Sequence, residues 1–161
     1  KGGAFTLLFG IGTFPINVWN HVFVTYDGGT TGSVLSESSN YQSRFTVSVN
    51  GVDAINAAQT LGGGYSGDIK PEQFKIGKYS NEIPQYFDGK LNQLAIWDSN
   101  EIANLSAIYN SRTTHDLRLL ASPPAHYYEI KNSVTSIPDL VGNANLTGYN
   151  FVAADLVTDT P

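Results

Sequence analysis

The chain has 161 residues, enough for one domain with an appendage and for a sizeable buried core. Charged residues make up only 14% and the formal net charge is −5, so the basic stripe that neutralises nucleic-acid phosphates is missing. No apolar run approaches the roughly 18 residues of a membrane-spanning helix, and the absence of cysteine excludes a disulfide framework and a thiolate zinc site.

Residues 4–9 read as a short apolar strand closed by Gly10 and Gly12. The stretch 19–28 is then dominated by β-branched and aromatic side chains. Alternation places Trp19, His21, Phe23 and Thr25 on one face and Val22, Val24 and Tyr26 on the other, which predicts a central strand covered on both sides. Asp27-Gly28-Gly29 ends it, since Asp and Gly accept the positive φ of a tight turn. Residues 30–43, rich in Thr, Ser, Gly and Asn, read as a long loop.

Residues 44–49 alternate strictly, with Phe45, Val47 and Val49 expected inward and Arg44, Thr46 and Ser48 outward. Asn50-Gly51 follows, a strong hairpin signal because both central residues of a type I′ turn need positive φ. Residues 52–58 are the expected return strand, 61–67 a second loop, and 74–77 a short strand. The longest strand candidate covers 86–97, with a bend or bulge expected near Asp88-Gly89-Lys90 because Gly89 interrupts the apolar pattern. Ser99 is the expected N-cap of the one helix, whose apolar face is Ile102, Leu105, Ile108 and Tyr109 and whose end falls at Asn110-Ser111. Beyond Pro123-Pro124, residues 125–130 and 145–152 read as strands and 137–143 as a turn region. Many short strands and one short helix make an antiparallel all-β sandwich the expected fold class.

The acidic residues fall mostly in turns, and no strand carries two carboxylates at i and i+2, so the acid pair of a glycosidase is missing. No Ser-His-Asp spacing or phosphate loop is present, and the chain is expected not to be an enzyme. His21, His115 and His126 stand apart in sequence. Calcium takes several oxygen ligands from loops, which makes Asp27 and Asp88 the candidate metal residues; each is explained equally well as a turn former. Tyr41, Tyr65, Tyr79, Asn81 and Tyr86 are the candidate ligand-binding residues, because exposed rings beside amides suit carbohydrate or protein contact. The expected structural core is Trp19, His21, Phe23, Phe45, Val47, Phe74, Ile76, Leu94 and Ile96.

The series Trp19-Asn20-His21-Val22, Thr25-Tyr26-Asp27-Gly28, Val49-Asn50-Gly51, Phe74-Lys75-Ile76-Gly77, Phe87-Asp88-Gly89-Lys90-Leu91 and Ile96-Trp97 resembles the second half of laminin-G-like and pentraxin domains. The resemblance spans about residues 15–111 and implies a concanavalin A-like jelly-roll sandwich. Members normally carry several strands before the Trp-x-His strand. This chain is therefore expected either to be a C-terminal fragment or to fill the vacant positions with its C-terminal segment, and the abrupt start at Lys1 favours the fragment. The expected division is a sandwich over 1–112, a linker over 113–125 and a C-terminal extension over 126–161 that packs on the sandwich or on a partner.

Asp116-Leu117, Tyr127-Tyr128-Glu129, Ile137-Pro138-Asp139, Gly142-Asn143, Leu146-Thr147 and Asp155-Leu156-Val157-Thr158-Asp159-Thr160-Pro161 resemble an extension that follows such domains in tailed-phage structural proteins. That resemblance implies a tail, fibre or capsid-decoration protein, located in the virion or otherwise extracellular, that contacts other virion proteins or copies of itself. The alternative it leaves is a lectin-like module that binds cell-surface glycans. No cofactor is expected beyond the weakly supported calcium, and no nucleic acid or membrane partner.

Overall fold

A computed structural model describes residues 6–11, 15–26, 45–53, 55–61, 76–77, 87–131, 133–157 and 161, and gives backbone alone along 6–11, 26, 45 and 55–61. Within the first half, the tightest local constraint is the turn at Asn50-Gly51. Both residues take positive φ, 53° and 78°, and reverse the chain between β3 (Phe45–Val49) and β4 (Val52–Asp53). β2 (Val22–Tyr26) pairs antiparallel with β3, Val22 opposite Val49 and Tyr26 opposite Phe45, which gives the sheet order β2-β3-β4.

That order corrects the expectation of a doubly covered strand over 19–28. Among the described residues β2 lies at the edge of its sheet: Phe23 and Thr25 are buried, but Val22 and Val24 on the other face are 47% and 54% exposed. The strand covered on both faces is β3. Its Val47 is fully buried, and Ser48, expected outward, is only 2% exposed because it stands opposite Phe23 on the buried face.

The return strand also departs from its expected span. β4 pairs with β3 over two residues only; the chain then continues into β5 (Ile55–Leu61), which pairs with β1 (Thr6–Ile11) in a different sheet. Of the strand expected over 74–77, Ile76 and Gly77 are described and form a bend, with Gly77 at φ 80° accepting the Phe87 N–H. Ile76, expected in the core, is 38% exposed there. The long strand expected over 86–97 contracts to β6 (Gln93–Ile96), and Gly89 sits in the anticipated bend.

A 3₁₀ turn (Ile102–Asn104) leads into helix α1 (Leu105–Tyr109), which stops where Asn110 turns left-handed at φ 44°. Ser99 is not the N-cap. Its hydroxyl donates to Glu101, while the Asn100 carboxamide oxygen accepts the Ile102 N–H at 3.1 Å.

Residues 113–125, a linker on the sequence reading, carry part of the core. Leu117 and Pro124 are buried, and the Trp97 indole N–H reaches across to the Ser122 carbonyl at 3.1 Å. β7 (His126–Glu129) then pairs antiparallel with β6, and β8 (Ser136–Ile137) pairs with β9 (Leu146–Thr147). The expected strand over 145–152 is thereby confined to β9. Phe23, Ile108, Leu117 and Tyr127 form one buried cluster, flanked by Ala95, Trp97, Leu105, Leu120 and Leu140. The C-terminal segment therefore shares a core with β2 and α1. Of the remaining expected core residues, Trp19, His21, Leu94 and Ile96 are half-buried, Phe74 lies outside the described residues, and Phe45 is described by its backbone. The described architecture is small antiparallel sheets with one short helix.

A side chain at Gly51 meets two obstacles: the positive φ, and the Tyr109 ring, whose Cδ1 would lie 2.8 Å from an added Cβ. Gly51→Ala is predicted to cost about 1–2 kcal/mol, read as a lower urea midpoint with unchanged slope. An unchanged midpoint would contradict this packing.

Candidate functional site

The loop residues singled out for ligand binding, Tyr41, Tyr65, Tyr79, Asn81 and Tyr86, lie outside the described residues, as does Asp27. Asp88 is exposed beside Gly89. Among the described residues no group of three or more His, Asp or Glu side chains is placed to hold a metal ion, so Asp88 joins no ligand set there. Two of the polar networks of the described residues meet at β7.

The first is centred on Asp139, whose side chain is fully buried. Oδ1 accepts the backbone N–H groups of Tyr127 (3.1 Å), Val141 (3.2 Å) and Gly142 (3.0 Å). Oδ2 accepts Ala144 N–H at 3.2 Å and faces His126 Nδ1 at 2.6 Å. Asp139 N–H is itself taken by Asn145 Oδ1 at 2.9 Å, and Leu140 N–H by the Tyr127 carbonyl at 2.8 Å. One carboxylate thus folds the 139–145 turn around itself and ties it to β7. Burial alone would raise the Asp139 carboxyl; His126 and the N–H groups of Tyr127, Gly142 and Ala144 outweigh it and hold the group well below the usual carboxylate range. Gly142 is required by space. An added Cβ would stand 2.6 Å from both Asp139 Oδ2 and His126 Nδ1.

Beside β7 lies a polar cleft of about 210 Å³, lined by Asn92, Gln93, Thr114, His115, Asp116, Glu129 and Lys131. Its floor is a relay of hydrogen bonds. Gln93 Nε2 donates to the Tyr127 hydroxyl at 2.6 Å and to the His115 carbonyl at 3.2 Å, and the Tyr127 hydroxyl donates to Glu129 Oε1 at 3.1 Å. Burial and the neighbouring Glu129 charge push the Tyr127 phenol above its ordinary range, so it stays a donor at any physiological pH. Lys131 Nζ pairs with Glu129 Oε2 at 2.5 Å, and Arg118 grips both Asp116 oxygens at 2.6 to 3.1 Å. The Arg118 hydrogen bonds hold Asp116 down at about 2. With each carboxylate matched by a cation, the cleft suits a neutral, hydrogen-bonding ligand better than an ion. The Asp116 carboxyl is thereby held away from the range of a general acid at neutral pH.

Two further polar groups are wholly or partly buried: Glu101, which the sequence reading missed, and His21, which it placed in the core. Glu101 is 6% exposed, and its carboxylate accepts the Ser99 and Ser122 hydroxyls at 2.6 and 2.9 Å and Asn104 Nδ2 at 2.5 Å, joining the start of α1 to the 117–124 stretch. His21 Nδ1 is buried with no hydrogen-bond partner, and burial lowers the pKa of the ring. That ring lies against Tyr109, centroids 5.4 Å apart, so His21 serves as a neutral packing group.

Past β9 the chain turns outward. Tyr149, Phe151, Val152 and Val157 are all exposed, Tyr149 by 79%, although Asn150 at φ 62° and the Asp155 carboxylate, which accepts Val152 N–H at 2.7 Å, give this segment defined turns. Compared with protein-family models, with curated proteins and with solved structures, the chain matches none of them.

The Asp139 arrangement sets a pH dependence. A carboxyl depressed by folding contributes stability that is fully present above its unfolded value, about 3.9, and is lost as the pH falls from there through the folded value. Asp139→Asn is predicted to lower the thermal midpoint at pH 7 by about 5–10 °C and to flatten the acid limb below about pH 4. Calorimetry across that range would contradict the assignment if variant and parent lost stability in parallel on acidification.

Proposed function

We propose that this chain is a non-enzymatic structural and interaction module of a phage virion, in a tail, fibre or capsid-decoration protein. On this reading the small antiparallel sheets belong to a concanavalin A-like jelly roll, and residues 126–161 are an extension that packs on it and faces other virion proteins. The observation that carries the reading is the C-terminal segment itself. Tyr149, Phe151, Val152 and Val157 stand exposed immediately after a turn locked by Asp139, and a clustered set of large apolar groups on an ordered segment marks a protein-contact surface. The resemblance of residues 116–161 to phage extensions supplies the setting. Antibody labelling of purified particles and a cryo-EM map test the reading together. The chain is predicted to be present with residues 149–157 against a neighbouring subunit, and Tyr149→Asp with Phe151→Asp to cut incorporation by about tenfold. Particles that lack the chain, or that take up the double variant fully, would refute it.

A second reading, a lectin-like adhesion module, is favoured by the cleft beside β7. Its amides and carboxylates are planar groups of the kind that pair with vicinal hydroxyls, its charges are matched internally, and its volume of about 210 Å³ suits a single sugar ring. A glycan array separates the readings. Binding that is lost in Gln93→Ala assigns adhesion to this cleft, binding lost in Tyr79→Ala or Tyr86→Ala assigns it to the loops, and no binding to any glycan removes the lectin.

A further inference from the structure

Asn50-Gly51 is the only Asn-Gly step in the sequence. Glycine puts no Cβ in the way of its own backbone nitrogen, so this step is chemically the most open to attack on the preceding side-chain amide. In the fold, that amide is occupied. β2 and β3 continue their register one step past Val22 and Val49, which brings His21 opposite Asn50. A regular ladder would have the two residues exchange both backbone hydrogen bonds. Asn50 N–H does reach the His21 carbonyl at 2.9 Å, but the return bond from His21 N–H goes to the Asn50 side-chain Oδ1 at 3.0 Å. Asn50 Nδ2 donates in turn to Asn20 Oδ1 at 2.9 Å. Both ends of the carboxamide are therefore held toward the 20–21 segment, and the Tyr109 ring closes over Gly51.

We propose that Asn50 is a self-modification site that the fold holds shut: it deamidates through its own backbone whenever the 20–21 segment lifts from the hairpin. The Gly51 nitrogen, losing its proton, forms a bond to Asn50 Cγ; the Cγ–Nδ2 bond breaks and ammonia leaves, closing a succinimide. Water then opens the ring. Attack at Cγ leaves aspartate with the original backbone, whereas attack at the Asn50 backbone carbonyl leaves isoaspartate, with the chain running through the side chain. No oxidant or enzyme is needed.

Either product disables the latch. A carboxylate retains an acceptor for His21 N–H but has no hydrogen to give Asn20 Oδ1. Isoaspartate also lengthens the backbone of a two-residue turn, and the β3–β4 register, which depends on that turn's length, is lost. The tether of residues 15–20, in which Asn20 Nδ2 donates to the Pro15 and Val18 carbonyls, then parts from β3. The hairpin thus converts time spent open into a permanent covalent change.

The test is a peptide map by mass spectrometry, with isoaspartate detection, after incubation in mildly alkaline buffer. Folded chain, chain unfolded in urea, and folded Asn20→Ala and Asn20→Asp are compared, with circular dichroism to establish that each variant is folded. The expected result is conversion at Asn50 about tenfold or more slower in the folded parent than in urea, with Asn110 and Asn132, which precede serine, as internal references. Asn20→Ala is expected to speed conversion in the folded state. Asn20→Asp, which keeps an acceptor for Nδ2 while losing both donations to residues 15 and 18, is expected to stay near the parent rate. Should either variant fail to fold, the parent's folded-to-urea ratio decides alone. Equal rates in folded and unfolded parent, no conversion at Asn50 in urea, or a folded Asn20→Ala that converts at the parent rate would each overturn the proposal.

Discussion

A buried carboxylate has to be repaid in full for the solvent it gives up, and Asp139 is repaid by His126 together with a set of backbone donors. The N–H groups of Tyr127, Val141, Gly142 and Ala144 converge on its two oxygens, and His126 adds a side-chain contact at 2.6 Å. Backbone donors have no rotamer freedom to lose, so the arrangement orders the turn without ordering long side chains. It also leaves little tolerance. Gly142 has no room for a Cβ, and β7 cannot shift without withdrawing Tyr127 N–H. The 139–145 turn, β7 and the register of β6 against β7 are thus one mechanical unit.

That unit joins β2 and α1 to the C-terminal segment. Tyr127 contributes its N–H to Asp139, its ring to the cluster with Phe23, Ile108 and Leu117, and its hydroxyl to the Gln93–Glu129 relay. Burying a large aromatic side chain is among the stronger single contributions a small domain has available. Here the same residue fixes the cleft floor and the base of the exposed C-terminal segment.

The parts of the fold set by short-range chemistry were legible in the sequence. Asn50-Gly51 gave away the hairpin, Gly89 the bend, and the apolar pair Leu105 and Ile108 the helix and its end at Asn110, although Ile102, expected on the same face, lies in the preceding 3₁₀ turn and is 38% exposed. What depends on distant partners was not legible. Alternation along 22–26 is the same for an edge strand as for a central one, and only pairing with β3 decides which face is covered. Ser48 reads as an outward residue until Phe23 is placed opposite it. Asp139 reads as a turn former, which it is, but its convergence with His126 and Tyr127 spans 13 and 12 residues. A local hint was present in Asp139 followed by Gly142 and Asn143, a spacing that lets a carboxylate cap successive N–H groups. Glu101 gave no hint at all, because its partner Ser122 lies 21 residues away.

The central claim is that one carboxylate holds the C-terminal platform as a unit, and native-state hydrogen exchange followed by NMR measures this most directly. The amides of Tyr127, Val141, Gly142 and Ala144 are predicted to be protected together, to exchange with a common opening free energy, and to lose that protection together in Asp139→Asn while the β2–β3 amides keep theirs. Exchange of these four amides at unrelated rates, or at the rates of an unstructured chain, would contradict the account.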